Sequence, residues 1–314
     1  MYVQQLINTY PDIVEAMQQC DHKSSYHMEG SVWTHTMMVY SYIKALHPDN
    51  TVLLIAALLH DVGKPFVKTI SDEGKTRFSG HEGYSTFYAR DILEEFKIPY
   101  ATILEVLRTI SLHGVNISQL PNIPYLSMFR KADSAGRITN KPLEDYQPRR
   151  FRRFWKAPVH TVTILIGLPC SGKSTYASQF PNVVSRDNCL LEYFPSASYD
   201  EAYAQSHATD ESRAAFNAYF ENHIQSIASK QADTVIDMTM LSLSDRRSMM
   251  SHFPKAQFKA IVFLPTLNTI YSRNAIRSKA GKTLSPDVYK HMMTKFVMPV
   301  LEEGFETIEY KLEN

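Results

Sequence analysis

The sequence predicts a multidomain chain, an all-α first half followed by an α/β second half built on a parallel sheet. Three observations carry this. The 314 residues exceed the size at which one hydrophobic core usually keeps growing, and the 44% that are apolar suffice for two. Helical spacing of apolar residues dominates before residue 140, whereas after residue 158 short β-branched runs alternate with helical segments, the pattern of strands joined by crossover helices. Between them, from Asn140 to Pro158, apolar periodicity lapses, and Pro142, Pro148, Arg149, Arg150, Phe151, Arg152, Arg153, Phe154, Trp155, Lys156 and Pro158 read as a linker. The expected domains are residues 1–145 and 159–314, joined by a basic and aromatic linker over 146–158.

In chain order, Met1 to Cys20 is polar and helix-like, without the apolar core of a signal peptide. Val32–Leu46, Val52–Leu59, His81–Phe96 and Ile103–His113 have helical spacing. Val52–Leu59 is apolar all round, hence buried, and delivers His60 and Asp61 at its end, just before Gly63 and Pro65 stop it. Two polar side chains after so apolar a helix are costly to bury alone, and a metal cation suits imidazole plus carboxylate. In the second half, Thr161–Ile166, the run beginning at Val183, Thr234–Ile236 and Phe258–Phe263 read as strands. Lys173–Phe180, Glu211–Lys230, Ser244–His252 and Ser285–Val297 read as helices.

Composition excludes several classes. The longest unbroken apolar stretches are far too short to cross a bilayer, so the expectation is a soluble, cytoplasmic protein with no membrane partner. Three cysteines, odd in number and widely spaced, fit neither a disulfide framework nor a cysteine zinc site. A net charge of +1 excludes coating of nucleic acid by bulk charge, so any polynucleotide contact must be local.

In the first half, Trp33-Thr34-His35-Thr36, Leu59-His60-Asp61-Val62-Gly63-Lys64-Pro65, Gly80-His81-Glu82, Leu112-His113 and Lys131-Ala132-Asp133 occur in that order. Any one of the 12 histidines alone is best read as an ordinary core or surface residue. The set together resembles the HD phosphohydrolase superfamily, an all-α fold that hydrolyses phosphate esters with one or two divalent metals. The resemblance covers roughly residues 25–140. It implies His35, His60, Asp61 and Asp133 as ligands of a first metal and His81 and His113 as additions of the two-metal subgroup, with Asp61 bridging and Lys64 on the substrate phosphate. The metal is a divalent transition ion, Mn²⁺, Ni²⁺, Co²⁺, Fe²⁺ or Zn²⁺, since His/Asp sets accept all of them. Glu82 reads equally well as a neighbour of the ligands or as structural.

In the second half, Gly167-Leu168-Pro169-Cys170-Ser171-Gly172-Lys173-Ser174 matches G-x-x-x-x-G-K-[ST] between a strand and a helix, where a phosphate-binding loop must lie. Gly167 and Gly172 let backbone N–H groups curl around the phosphates of ATP or GTP. Lys173 supplies charge, the Ser174 hydroxyl reaches Mg²⁺, and Thr175 follows in the helix. The acceptor must be read from the C-terminal ends of neighbouring strands. Asp187 stands at such an end, where a carboxylate can take the proton of an attacking hydroxyl, and the same position suits a helix N-cap. Asp237 and Thr239 follow another strand. Arg273 and Arg277, four apart on one helix face, form with Lys282 a cationic lid over the phosphates.

The phosphate loop, Ser185-Arg186-Asp187, Asp237-x-Thr239-x-Leu241 with Arg246 and Arg247, and Arg273-Asn274-x-x-Arg277 with Ser285-Pro286, Met292, Phe296 and Pro299 resemble the 5′-hydroxyl polynucleotide kinase family across residues 160–300. That resemblance implies Asp187 as general base, Arg186, Asp237 and Thr239 as substrate-positioning groups, and Arg273 and Arg277 on the phosphoryl transition state. One departure stands out: the family's arginine three residues after the base is Leu190 here. An HD half followed by such a kinase resembles the bifunctional HD-kinase enzymes that heal RNA ends. The resemblance implies RNA or DNA ends as substrates and an RNA ligase as functional partner. The linker arginines and aromatics could offer charge and stacking to a strand. Two other readings remain open: a small-molecule or nucleoside kinase fused to an HD nucleotidase, and a regulator whose HD half only senses nucleotides.

Overall fold

The computed structural model describes residues 3–24, 26–115, 124–139, 160–195, 198–279, 281–282 and 284–312. The linker arginines and aromatics lie outside them. The chain forms two compact units, Met1–Arg150 with Lys290–Met298, and Phe151–Tyr289 with Pro299–Asn314. The expected linear division did not include the return of Lys290–Met298 to the first unit.

The first unit is helical: α1 (Val3–Thr9), α2 (Pro11–Gln19), α3 (Val32–Leu46), α4 (Thr51–Leu59), α5 (Lys64–Val67), α6 (His81–Glu95), α7 (Tyr100–Leu112) and α8 (Pro124–Ala135), with a small antiparallel hairpin of β1 (Thr69–Ile70) and β2 (Thr76–Arg77). Ser31 starts α3 by accepting from the Thr34 N–H, and Asn50 starts α4 by accepting from Leu53. As its composition requires, α4 is buried on every side from Ile55 to Leu59. Against it pack Val39 and Ile43 of α3 and Val106, Leu107 and Ile110 of α7, all buried, which fixes where the ends of these helices meet. Lys290–Met298 completes this core. Phe296 packs on Phe87 at 5.0 Å, and the Met298 N–H donates to Ser111 Oγ at 2.9 Å. A Cβ at Gly83 would run into the carbonyls of Met293 and Phe296, so only glycine lets this segment approach α6.

The second unit is a five-stranded, all-parallel sheet in the order β4-β5-β3-β6-β7: β3 (His160–Ile166), β4 (Val183–Ser185), β5 (Thr234–Asp237), β6 (Ala256–Phe263) and β7 (Phe305–Lys311). Its helices are α9 (Lys173–Ala177), α10 (Arg186–Tyr193), α11 (Tyr199–Ser206), α12 (Asp210–Ser229), α13 (Leu243–Ser251), α14 (Leu267–Ser278) and α15 (Pro286–Met293), the last crossing into the first unit. Central β3 is flanked on both sides and buried from Ile164 to Ile166, as its unbroken β-branched and leucine run predicts. Two expected helices are shorter than their patterns: α9 stops at Ala177, and α15 ends at Met293.

Candidate active sites

In the first unit three histidines use one local device. His60 at the end of α4, His81 at the start of α6 and His113 at the end of α7 each hold Nδ1 against the carbonyl three residues earlier, Ala57, Phe78 and Ile110, at 2.9, 2.9 and 2.7 Å. A carbonyl only accepts, so Nδ1 carries the proton and Nε2 presents a lone pair inward. His35, on the first turns of α3, meets the Gly136 carbonyl at 3.1 Å and Glu29 Oε1 at 3.0 Å through Nδ1, and turns Nε2 to Asp133 Oδ1 at 3.0 Å.

All these rings converge on Asp61, which is fully buried. One oxygen, Oδ2, lies 3.2 Å from His60 Nε2 and 3.8 Å from His35 Nε2; the other, Oδ1, lies 3.2 Å from His81 Nε2 and 3.9 Å from His113 Nε2. His35, His60 and Asp61 form one group with a ligand atom from each within 4.8 Å of the others, and Asp61, His81 and His113 form a second. Asp133 joins the first side, 3.8 Å from His60, its other oxygen paired with Arg137. His60 Nε2 and both Asp61 oxygens are buried and make no aligned hydrogen bond among the described residues. Lys64 approaches one Asp61 oxygen, but the imidazole lone pairs aimed at the carboxylate remain costly to bury alone, so His35, His60 and Asp61 on one side and Asp61, His81 and His113 on the other could each hold a divalent metal.

At Asp61 and His113 the electrostatics suit metal ligands, whereas at His35 and His81 neighbouring carboxylates favour a proton that a metal ion would replace. Burial opposes ionisation of Asp61, yet His60 and Lys64 hold its carboxyl well below the usual carboxylate range. Burial, reinforced by His60 and His81, pushes His113 down, keeping it a neutral donor. For His35 burial works the other way from its partners, and the Asp133 and Glu29 carboxylates prevail, raising it to about 9. Lys64, 6% exposed, sits 2.7 Å from Asp61 Oδ2 and 3.1 Å from His22 Nε2. His81 is also 3.3 Å from Glu82 through Nδ1, so Glu82 flanks a ligand.

Sequence reasoning missed three neighbours. His22 and His27 stack at 4.3 Å beside His35, and Glu29 bridges His27 and His35 at 2.7 and 3.0 Å. They sit in the loop before α3, whose sequence has no helical or strand period. Only the density of histidines at 22, 27 and 35 could have signalled them.

In the second unit the Gly167 N–H donates to the Thr239 carbonyl at 3.0 Å, and a Cβ at Gly167 would stand 2.6 Å from the Phe263 carbonyl. The loop is thus threaded between the ends of β5 and β6. Lys173 folds into the cradle, donating to the Leu168 carbonyl at 2.7 Å and Ser171 Oγ at 3.3 Å. Burial lowers its pKa to about 8 although Asp237 and Asp187 both pull it up, so both carboxylates are near. Asp237, at the end of β5, accepts from Ser174, and burial raises its pKa. Ser174 and Thr175 are exposed on the first turn of α9.

Asp187 is in the first turn of α10, not at its cap. Ser185 takes the cap, accepting from the Asn188 N–H at 3.4 Å, which releases the Asp187 carboxylate. Asp187 is half exposed; Oδ1 accepts from the Tyr199 hydroxyl at 3.0 Å, and Oδ2 pairs with Lys282. Arg273 reaches the Cys170 carbonyl at 3.3 Å and Arg277 the Cys170 Sγ at 3.5 Å, so these two do lie over the phosphate loop. Lys282 instead sits on Asp187. Arg186 turns to α12, donating to Asn217 Oδ1 at 2.6 Å and lying over Phe216 and Phe220 at 4.7 and 5.0 Å. Arg246 is fully buried, paired with Glu303 at 2.6 and 2.7 Å and donating to the Met240 and Leu241 carbonyls. Its role is to brace the loop after β5. Leu190 is buried in α10, a place closed to a solvated arginine. Thr239 lines a cavity of about 250 Å³ with Phe220, Met238, Asp245 and Met249.

Two family models match this chain in tandem. The HD domain family matches residues 32–137, and the AAA domain family matches residues 162–299. An HD domain precedes a P-loop AAA domain. A solved structure of a candidate kinase from Chloroflexus aurantiacus J-10-fl is 12% identical over 49% of this chain and 85% of its own, with a TM-score of 0.36. No curated protein matches. No helix among the described residues is long and apolar enough to cross a membrane.

Proposed function

We propose that this chain heals broken RNA ends. The AAA domain transfers the γ-phosphate of ATP or GTP to a 5′-hydroxyl polynucleotide end, and the HD domain hydrolyses a 2′,3′-cyclic phosphate or a 2′- or 3′-phosphate. The observation that carries this reading is that one chain holds both a buried cluster of imidazoles around Asp61 and a phosphate loop with a half-exposed carboxylate, Asp187, in its electrostatic reach. RNA cut by its own 2′-hydroxyl leaves a cyclic phosphate and a 5′-hydroxyl, one substrate for each centre.

In the kinase, the acceptor hydroxyl gives its proton to Asp187 as its oxygen attacks the γ-phosphorus, and the bond to the bridging oxygen of the donor breaks. Arg273 and Arg277, already at Cys170, stabilise charge on the transferring group, and Lys173 holds the donor phosphates. Ser174 and Asp237, hydrogen-bonded to each other, would hold the Mg²⁺ that accompanies the nucleotide. In the HD domain, His35, His60, Asp61 and Asp133 would hold one transition metal and Asp61, His81 and His113 a second. Bound there, two ions lower the pKa of a water and stabilise the oxygens of displacement at phosphorus. Lys64 contributes charge to the substrate phosphate, and the Nδ1 contacts keep each imidazole oriented for its ion.

The test is an RNA with a 5′-hydroxyl and a 2′,3′-cyclic phosphate, incubated with γ-labelled nucleotide and Mn²⁺ or Ni²⁺. Label should appear at the 5′ end and phosphate be lost at the other. Transfer to free nucleosides but not to oligonucleotides would instead select the small-molecule kinase. Unchanged cyclic-phosphate hydrolysis in Asp61→Ala removes the HD assignment.

A further inference from the structure

We infer that α10 and α12 share a zinc site made by Cys189, Glu192 and His223, in addition to the two centres described above. Cys189 and Glu192 are three apart on α10 and so lie on one face of it, and His223 comes from α12. Each offers one ligand atom, and the three atoms lie within 4.8 Å of one another. Other contacts along the same seam lay the two helices side by side. Towards the start of α10, Arg186 donates to Asn217 Oδ1 and covers Phe216 and Phe220. Towards its end, Tyr193 packs on Phe216 at 5.9 Å and on Tyr219 at 4.9 Å, and the Tyr219 hydroxyl donates to Glu192 Oε2 at 3.3 Å. Packing that needs no ion therefore brings the donors together, which leaves less ordering for an ion to impose.

Core packing explains the thiol but not its neighbours. Cys189, 1% exposed, fills the seam as a small apolar group does. A carboxylate and an imidazole brought to that sulfur gain little from it unless a cation joins all three. His223 is half-buried and makes no hydrogen bond, ion pair or ring contact with another described residue, so no other interaction accounts for its place. Sulfur, imidazole nitrogen and carboxylate oxygen together form a donor set for tetrahedral zinc with water as fourth ligand, whereas Mg²⁺ and Ca²⁺ take oxygen ligands. Glu192 is exposed, which gives the ion a way in. Burial pushes the Cys189 thiol up to about 11, so the ion displaces a proton as it binds. The wide spacing of the three cysteines excludes a site of several thiols, but a mixed site needs only one. The bound ion ties α10, whose first turn carries Asp187, to the long helix α12.

The experiment titrates the full chain with Co²⁺, which takes zinc's place and reports a thiolate ligand by a sulfur-to-metal charge-transfer band in the near ultraviolet. The HD centre, built from nitrogen and oxygen donors, gives no such band, so ions bound there do not interfere. The wild type should develop the band, and excess Zn²⁺ should bleach it, because thiolate donors favour zinc. Cys189→Ser and His223→Ala should each lose it, while Cys20→Ser and Cys170→Ser should keep it. His223→Cys, which supplies a second thiolate, should strengthen the band whether or not the alanine variant folds. Zn²⁺ should also slow amide exchange in α10 and α12 of the wild type but not of Cys189→Ser. The site is overturned if the wild type gives no band, if the band survives Cys189→Ser, or if His223→Ala binds Co²⁺ with the same band and affinity as the wild type. Equal slowing of exchange in both proteins rejects the tie between the helices. The end-healing function stands or falls separately, on its own assay of RNA ends.

Discussion

Asp61 carries more of the chemistry than any other residue of the first unit, because each of its oxygens faces a different pair of imidazoles. Asp61→Ala should therefore disturb both ion positions at once. Metal content by mass spectrometry is expected to fall from about two ions per chain to at most one. Lys173 makes a pH-dependent prediction. Burial in the cradle lowers its pKa to about 8, whereas phosphates of a bound nucleotide favour the charged form. Below pH 8 the amine is charged before binding and takes up no proton. Above it, binding must protonate the amine, so affinity declines as pH rises past about 8. Calorimetry in buffers of different ionisation enthalpy, at about pH 8.5, should detect uptake on the order of half a proton, absent in Lys173→Met.

At the scale of elements, the loop after β5 is held by one buried pair. The Arg246 guanidinium is enclosed, forked onto Glu303 and donating to two loop carbonyls. Arg246→Leu leaves a buried carboxylate and two carbonyls without partners, and should cost about 3–5 kcal/mol in urea unfolding. Replacing Glu303 by Leu as well should recover part of that loss. The same loop brings the Thr239 carbonyl to Gly167, so nucleotide affinity of Arg246→Leu should weaken alongside stability. Two elements of this unit were not legible in the sequence. In α11, Tyr-Asp-Glu-Ala-Tyr-Ala-Gln-Ser has no apolar period, because it buries little beyond Ala202 and Ser206. In β7, Phe-Glu-Thr-Ile-Glu-Tyr-Lys is half polar, because it lies at the edge of the sheet.

For the whole molecule, each centre draws its proposed ligands or catalytic groups from one unit, so the activities should be separable by single substitutions. Asp187→Ala is expected to lower 5′ phosphorylation by at least 100-fold while hydrolysis of a cyclic-phosphate end continues, and Asp61→Ala to do the reverse. End analysis of one doubly broken RNA by gel and mass spectrometry reads both outcomes. An RNA ligase should seal only the products of the wild type.

Sequence alone determined the fold class, because helix and strand periods and the all-apolar α4 are local consequences of which residues must leave water. It also determined the phosphate loop, whose parts are contiguous, and the order of His35, His60, Asp61, His81, His113 and Asp133. Only the tertiary structure decided that these six converge, that His22, His27 and Glu29 stand beside them, and that Lys290–Met298 completes the first core. It likewise moved the helix cap from Asp187 to Ser185, sent Lys282 to Asp187 rather than to the phosphate loop, and made Arg246 a brace. The physical reason is range. Periodicity reports burial within one turn or one pleat, whereas a site is assembled from the ends of elements whose meeting points are fixed by packing between residues far apart in the chain.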